Sequence, residues 1–387
     1  MAELFKKSDL PHHVKLTDVG LRAERPFQIL GLLEDFTLGD LICNVVFLST
    51  LANQFDHVRL HVKFRDMRPY CREIMSLSPW IDLAEPFPET WHGLMRKLFP
   101  HLKPSKLRSQ MAIGSQKGKS NVLYDMVVTS MMASNDAVHA LPNTVPLRLP
   151  QSQLGDLRSR LIARGLKPER WFAVFHNRET DYTYRMGVGG GDRNGEPTAF
   201  DGLVDHIIAL GGQAVRLGHP GTTPFRARDG FVDLSMEANS FMLHAAAVSH
   251  ARFMIGGPSG PIALAWGFAV PNTLVDAVDT GGIWGLEHSD VLTHEVTSPK
   301  GEILRNASLL RAGLLDSELL AARMDAEAGY RIRKATADEM RIVATRLFER
   351  TKDCPAWRPP AKIPAGPKPN QVIWPLSLTY PMPWLDL

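Results

Sequence analysis

The sequence predicts an α/β protein made of two doubly wound domains, each built on a largely parallel sheet. Short apolar runs alternate with helical patterns, which is the order that parallel sheets require. That alternation stops in a stretch rich in proline and short polar residues, Leu141 to Ser152, and then restarts. A chain of 387 residues also exceeds what one hydrophobic core usually serves. The expected division is residues 1–145, then 146–335, then a helix and an extended tail over 336–387.

In the first domain Phe27 to Leu33 reads as a strand, Leu38 to Leu51 as a helix, and Val58 to Phe64 as a strand. Arg68 to Leu77 follows as a helix and Val122 to Val128 as a further buried strand. Gly93 to Asn121 carries Arg96, Lys97, Lys103, Lys106, Arg108, Lys117 and Lys119 with no acidic residue, and is the one basic patch. After the linker, Gln153 to Gly165 is helical, Trp171 to His176 a strand, Phe200 to Leu210 a helix and Ala214 to Leu217 a strand. Phe231 to Leu234 is a short strand, Asn239 to Ser249 a helix, Arg252 to Ile255 a strand, Gly260 to Phe268 a helix and Val270 to Val275 a strand. Helical patterns at Asp316 to Met324 and Ala335 to Arg350 come next. From Lys352 on, nine prolines forbid regular helix or central strand, while Trp357, Trp374 and Trp384 favour burial. An extended strap over the folded body is expected.

Composition narrows the function classes. With 44% apolar, 22% charged and 8% aromatic residues, the chain has the usage of an ordinary globular protein. A net charge of +3 is too small for a nucleic-acid coat. Three cysteines, Cys43, Cys71 and Cys354, fit a reducing compartment and neither a disulfide framework nor a zinc site. No signal-peptide pattern or run of 18 apolar residues occurs, so a cytoplasmic protein is expected.

Two features of the second domain suit an anionic ligand. Ile255-Gly256-Gly257-Pro258-Ser259-Gly260-Pro261 lies between a strand and an apolar helix, where small residues let backbone amides approach a phosphate. The bland alternative is a tight turn with Ser259 as a plain helix cap. His176-Asn177-Arg178-Glu179 follows a buried strand directly, and the carboxyl end of a strand in an open sheet faces the ligand crevice. Arg178 offers a fork of donors to a diphosphate, and His176 a hydrogen bond or a proton; a surface ion pair of Arg178 with Glu179 or Asp181 is the alternative. In the first domain Asp40, at Leu38-Gly39-Asp40, either complements a helix dipole or serves as a general base.

Other matches fail. Gly114 to Ser120 is one residue short of a P-loop and precedes its strand. Gly187 to Gly195 lacks the last glycine of the dinucleotide fingerprint, Asp192 standing in its place. No Asp-x-Asp, H-E-x-x-H or Cys pair suggests a metal site.

Together, Gly39-Asp40, His176-Asn177-Arg178, Gly211 to Gly218, Phe253 to Gly260 and Phe268-Ala269-Val270-Pro271 resemble bacterial glycosyltransferases of the GT-B fold, with two Rossmann-like halves facing a cleft. The last four segments are similar to a group running His-x-Arg, Gly-Gly-x-Val-Ile-Arg-x-Gly, Phe-Ile-Gly-x-x-Ser-Gly and Phe-Gly-Val-Pro. The likeness spans about residues 26 to 280 and is strongest from Trp171 to Pro271. That group is similar to fucosyltransferase-like enzymes. The resemblance implies donor binding by His176, Arg178, Ser259 and Gly260, with Gly257 in the same turn and Arg216 nearby. The Gly-Asp step is similar to that of heptosyltransferases, which implies that Asp40 is the base; His61 and Asp66 are substitutes. Asn177, His244 and Ala269 depart from the group's pattern.

The resemblance implies a metal-independent, inverting glycosyltransferase without a bound cofactor. Its co-substrate would be a nucleoside-diphosphate sugar, GDP- or UDP-linked, and its acceptor a glycan or lipid-linked hydroxyl. Peripheral contact with an anionic membrane surface through the basic patch is a further expectation, and no nucleic-acid partner is expected. The alternatives are a nucleotide-sugar epimerase of the same fold and a non-catalytic carbohydrate- or nucleotide-binding partner in polysaccharide assembly.

Overall fold

A computed structural model describes residues 14–16, 26–33, 37–55, 57–86, 124, 126–129, 144–179, 193–236, 241–277, 289–293, 295–304, 306–311 and 329–365. The chain forms two compact units, residues 1–148 with 362–387, and residues 149–361.

The first unit holds a five-stranded sheet of β1 (Val14–Leu16), β2 (Phe27–Leu33), β3 (Val58–Phe64), β4 (Ile81–Pro86) and β5 (Met126–Thr129), in the order β1-β5-β2-β3-β4. All pairs are parallel except β1 with β5. Helix α1 (Leu38–Ala52) follows β2, and α2 (Pro69–Ser76) follows β3 with proline in its first turn, where a missing N–H costs nothing. A Cβ on Gly31 would stand 2.5 Å from Leu48 Cδ1 and 3.5 Å from Val62 Cγ2, so β2 carries glycine where α1 crosses it. Two strands escape the sequence reading. β4, Ile-Asp-Leu-Ala-Glu-Pro, carries two acids and a proline, which a strand at the end of the sheet order tolerates. β1 pairs along only three residues.

The second unit holds β6 (Phe172–His176), β7 (Gln213–Leu217), β8 (Phe231–Asp233), β9 (Phe253–Gly256), β10 (Asn272–Ala277) and β11 (Ser289–Thr293), all parallel, in the order β11-β10-β9-β6-β7-β8. Its helices are α3 (Leu154–Ala163), α4 (Pro197–Ala209), α5 (Phe241–His250), α6 (Ile262–Gly267), α7 (Asn306–Arg311) and α8 (Ala337–Arg350). A three-stranded antiparallel sheet, β12 (Glu295–Thr297), β13 (Ile303–Leu304) and β14 (Arg331–Arg333), completes it. β6 is buried along its whole length, as a central parallel strand should be.

The sequence division places 336–387 apart, but the structure divides that stretch. α8 starts on a Thr336–Glu339 capping box and sets Met340, Val343, Ala344 and Leu347 into one core cluster with Phe200, Leu203 and Ile207 of α4. The start of the strap, as far as Ala361, belongs to the same unit. Trp357 meets Phe172 edge-on at 5.4 Å, the Arg358 amide donates to His250 O at 3.0 Å, and Arg358 donates to Ala269 O at 2.7 Å. Trp374, Trp384, the basic stretch 93–121, the helical pattern 316–324 and most of the glycine-rich run 187–195 lie outside the described residues.

Candidate functional site at the carboxyl edge of the second sheet

The strand order sets where a ligand can enter. From β6 the chain proceeds outward through β7 and β8, then returns to the other flank of β6 and runs out through β9, β10 and β11. The switch point of the sheet is therefore between β6 and β9, where connections diverge and leave a crevice at the carboxyl ends. His176 ends β6 and stands opposite Gly256 at the end of β9, and the Gly257 amide donates to His176 O at 3.4 Å. The two motifs singled out in the sequence thus meet at one place.

His176 is 7% exposed. Burial, reinforced by the nearby His244, His219, Arg216 and Arg178, pushes its pKa down to about 3, so its imidazole is neutral. Its Nδ1 is buried and has no hydrogen-bond partner among the described residues; the same holds for both amide atoms of Asn177 and for Ser235 Oγ. Asn177 is 1% exposed. Glycines bring backbone close around these groups. A Cβ on Gly195 would strike Asn177 Oδ1 and stand 2.6 Å from the Phe200 ring, while the Gly195 amide donates to Arg178 O at 3.0 Å. A Cβ on Gly218 would stand 2.7 Å from Ser235 Cβ, so the end of β7 also needs glycine.

Gly257 is buried, and Ser259 and Gly260 are half-buried in the turn before α6. The helix begins at Ile262, two residues later than the sequence suggests, because Ile262 N and Ala263 N bond back to Ser259 O and Gly260 O in tight turns. Arg178 is half-buried, two residues beyond the last residue of β6.

Arg216, expected near the donor from the resemblance, has both terminal nitrogens engaged by protein groups. It is 1% exposed, donates to Glu179 Oε1 at 3.0 Å, to Thr223 O at 2.7 Å and to Asp233 Oδ2 at 3.4 Å, and lies 4.1 Å over the Phe225 ring. Glu179 in turn accepts from Thr223 N at 2.8 Å and Thr223 Oγ1 at 2.6 Å. The guanidinium is a buried brace that ties the residue after Arg178 to the segment after β7. A basic residue on a central strand reads from sequence as a ligand contact; the carboxylates that claim it lie 37 and 17 residues away.

In the first unit the sequence-selected residues fall at two strands, Asp40 after β2, and His61 on β3 with Asp66 just beyond its end. Asp40 is half-buried in the first turn of α1, where it complements the helix dipole and accepts from Thr37 Oγ1. β2 lies between β5 and β3, so this residue follows the strand at which the first sheet also reverses its order. Asp66 accepts from Arg72 Nε at 2.6 Å. His61 has both ring nitrogens engaged, Nδ1 with the Tyr124 hydroxyl and Nε2 with Glu85 Oε2 at 3.0 Å. That occupies the atoms a base would use, and neither Tyr124 nor Glu85 stands out from sequence, since they lie 63 and 24 residues away.

Among the described residues no three His, Cys, Asp or Glu side chains are placed to hold a metal ion, and no helix is long and apolar enough to cross a membrane.

No family model matches the chain, and no curated protein matches it. Solved structures do. E. coli ADP-heptose lipopolysaccharide heptosyltransferase II matches with a TM-score of 0.51 and 13% identity, over 84% of this chain and 100% of that one. The family 9 glycosyl transferase of Veillonella parvula DSM 2008 matches with a TM-score of 0.53 and 13% identity, over 85% of this chain and 100% of that one. The chain therefore has the two-sheet α/β fold of these glycosyltransferases.

Proposed function

We propose that the protein is a glycosyltransferase that holds a nucleoside-diphosphate sugar at the carboxyl edge of its second sheet and transfers the sugar to a hydroxyl of a glycan or glycolipid. One observation carries this reading. His176 Nδ1, both amide atoms of Asn177 and Ser235 Oγ are buried without protein partners among the described residues, and the first two residues sit at the topological switch point. Leaving a buried polar atom unpaired costs about 1–3 kcal/mol, so several together mark a site whose hydrogen bonds are completed by a ligand. The shared fold with two glycosyltransferases supports the choice of ligand.

In this reading Arg178 and the Gly257 to Gly260 turn hold the diphosphate, and the neutral His176 contributes a hydrogen bond to it. Charge leaving with the diphosphate is met by these fixed donors in place of a metal ion. Asp40 takes the proton of the acceptor hydroxyl as its oxygen attacks the anomeric carbon and the bond to the diphosphate breaks, which inverts that carbon. Calorimetric titration with GDP, UDP, ADP, CMP and dTDP tests the reading, with one of them binding. Arg178→Ala then weakens that nucleotide roughly ten- to a hundredfold, the effect of one hydrogen bond from a charged donor. Unchanged affinity removes Arg178 from the site, and no binding by any nucleotide overturns the reading.

A further inference from the structure

The first unit carries a polar array that the proposed donor chemistry does not use. β3 reads Val-Arg-Leu-His-Val-Lys-Phe, a strict alternation in a strand that has a parallel neighbour on each side. Such strands are normally apolar on both faces, because helices cover both; alternation marks a face that meets something polar. Val62 lies on the face that α1 covers, so His61 and Lys63 point to the other. On β4, Leu83 stands opposite His61 and Glu85 opposite Lys63, which puts all four on that same face.

The hydrogen bonds fix the protons within this array. A carboxylate only accepts, so the His61 Nε2 bonded to Glu85 carries the hydrogen, and the bare Nδ1 accepts from the Tyr124 hydroxyl. Burial works the same way, lowering the His61 pKa and raising that of Tyr124 to about 12, so both are neutral in this line. The result is a carboxylate anchored from behind by a neutral donor. Glu85 is 49% exposed while its His61 anchor is 15% exposed. Next to it Leu83, 48% exposed, offers an apolar surface, and Lys63 a cation in register.

We propose that this face is a sugar-binding site, in which Glu85 receives two adjacent hydroxyls of a polyol while the ring's C–H face lies on Leu83. His61 and Tyr124 are positioning residues for Glu85. A phosphate or carboxylate ligand is disfavoured beside Glu85, and a purely apolar ligand leaves it unpaired; a sugar presents both hydroxyls and an apolar face. Resting on the transferase reading, this deepens it by naming an uncharged sugar unit as what the first unit holds.

Saturation-transfer NMR with the methyl glycosides of mannose, galactose, glucose and fucose tests the site on the full chain. Wild type shows transfer to at least one glycoside, and Glu85→Gln, which can still accept from His61, weakens that glycoside roughly ten- to a hundredfold. Leu83→Ala alters an exposed side chain that folding does not need, and weakens binding severalfold. Tyr124→Phe reduces binding less than Glu85→Gln and makes it depend on pH around the His61 titration, a signature that loss of packing alone does not produce. No signal from any glycoside with wild type, or equal binding by wild type, Glu85→Gln and Leu83→Ala, overturns the proposal. A nucleotide titration of the same samples reads the second unit separately. Sugar binding without nucleotide binding sinks the transferase reading alone, and nucleotide binding without sugar binding sinks this site alone.

Discussion

The carboxyl edges of the two sheets are built on opposite principles. At the edge of the first sheet and on one of its faces, polar side chains satisfy one another and stay partly in water: Asp40 with Thr37, Asp66 with Arg72, and Glu85 with His61. At the second edge His176, Asn177 and Ser235 are buried with polar atoms unpartnered among the described residues, and the terminal nitrogens of Arg216, bonded to Glu179, Asp233 and Thr223 O, brace the backbone around them. Paired, hydrated groups cost little and can exchange partners readily. Buried unpaired groups cost stability whenever no ligand is present, so a protein keeps them where tight, oriented binding matters. Under the proposed function, the first unit would act on the acceptor hydroxyl and the second would grip the charged donor.

That division of labour is broken most directly at Asp40. Asp40→Asn can still accept from Thr37 and keeps the helix start, so the melting temperature and nucleotide affinity stay near wild type. Turnover falls about a hundred- to ten-thousandfold, the usual worth of a general base. Transfer at a near-normal rate leaves Asp40 as a helix-start residue and moves the base elsewhere. Arg216→Ala comes next and separates brace from ligand contact. Removing one partner of a buried ion pair costs about 3–5 kcal/mol, because Glu179 and Asp233 are left uncompensated. Urea denaturation measures that loss; a variant with wild-type stability and weakened nucleotide binding restores the donor-contact role that the resemblance implied.

Much of the fold was legible because buried parallel strands are apolar runs. β2, β3, β6, β7 and β9 match their sequence ranges within a residue, whereas the strand order that sets the switch point was not legible, since it depends on pairing between distant segments. Strands of mixed composition, β4, β12 and β14, and the two-residue β13 were not legible, since pairing at a sheet edge or in a small sheet overrides weak propensity. At the site, the sequence located the strand ends and glycine turns, which are local. Arg216 as a brace and the His61 line depend on partners dozens of residues away, and no local pattern reports them. Ser235 had no motif to mark it. Its one signal is position, immediately after a short apolar run that proved to be a strand of the same sheet.

The two edges also differ in their response to acid. The folded-state pKa of His176 is near 3, against 6.5 for the free side chain, so the unfolded chain binds its proton first as pH falls. Its neutral form stabilises the fold fully above pH 6.5, and that contribution is lost progressively as pH falls from 6.5 toward 3. Between pH 7 and pH 5 the loss amounts to about 2 kcal/mol, at 1.36 kcal/mol for each unit below 6.5. Urea midpoints at the two pH values should fall further for wild type than for His176→Gln, and equal falls would mean that His176 is not buried as a neutral group.

The smallest effect expected repeats the chemistry of Arg216 in the opposite setting. Arg72 donates to Asp66 at 2.6 Å, closer than either contact of Arg216 with its carboxylates, yet its side chain is 68% exposed. Distance alone would make this the stronger pair. Water decides otherwise: both charges remain solvated when the pair breaks, salt screens their attraction, and ordering two long side chains offsets part of the gain. Arg72→Ala should therefore cost less than about 1 kcal/mol, with the cost shrinking further as salt is raised. The same urea titration applied to both arginine variants makes the test. A loss at Arg72 as large as that at Arg216 would show that pairing itself, and not burial, sets what a carboxylate–guanidinium contact is worth in this protein.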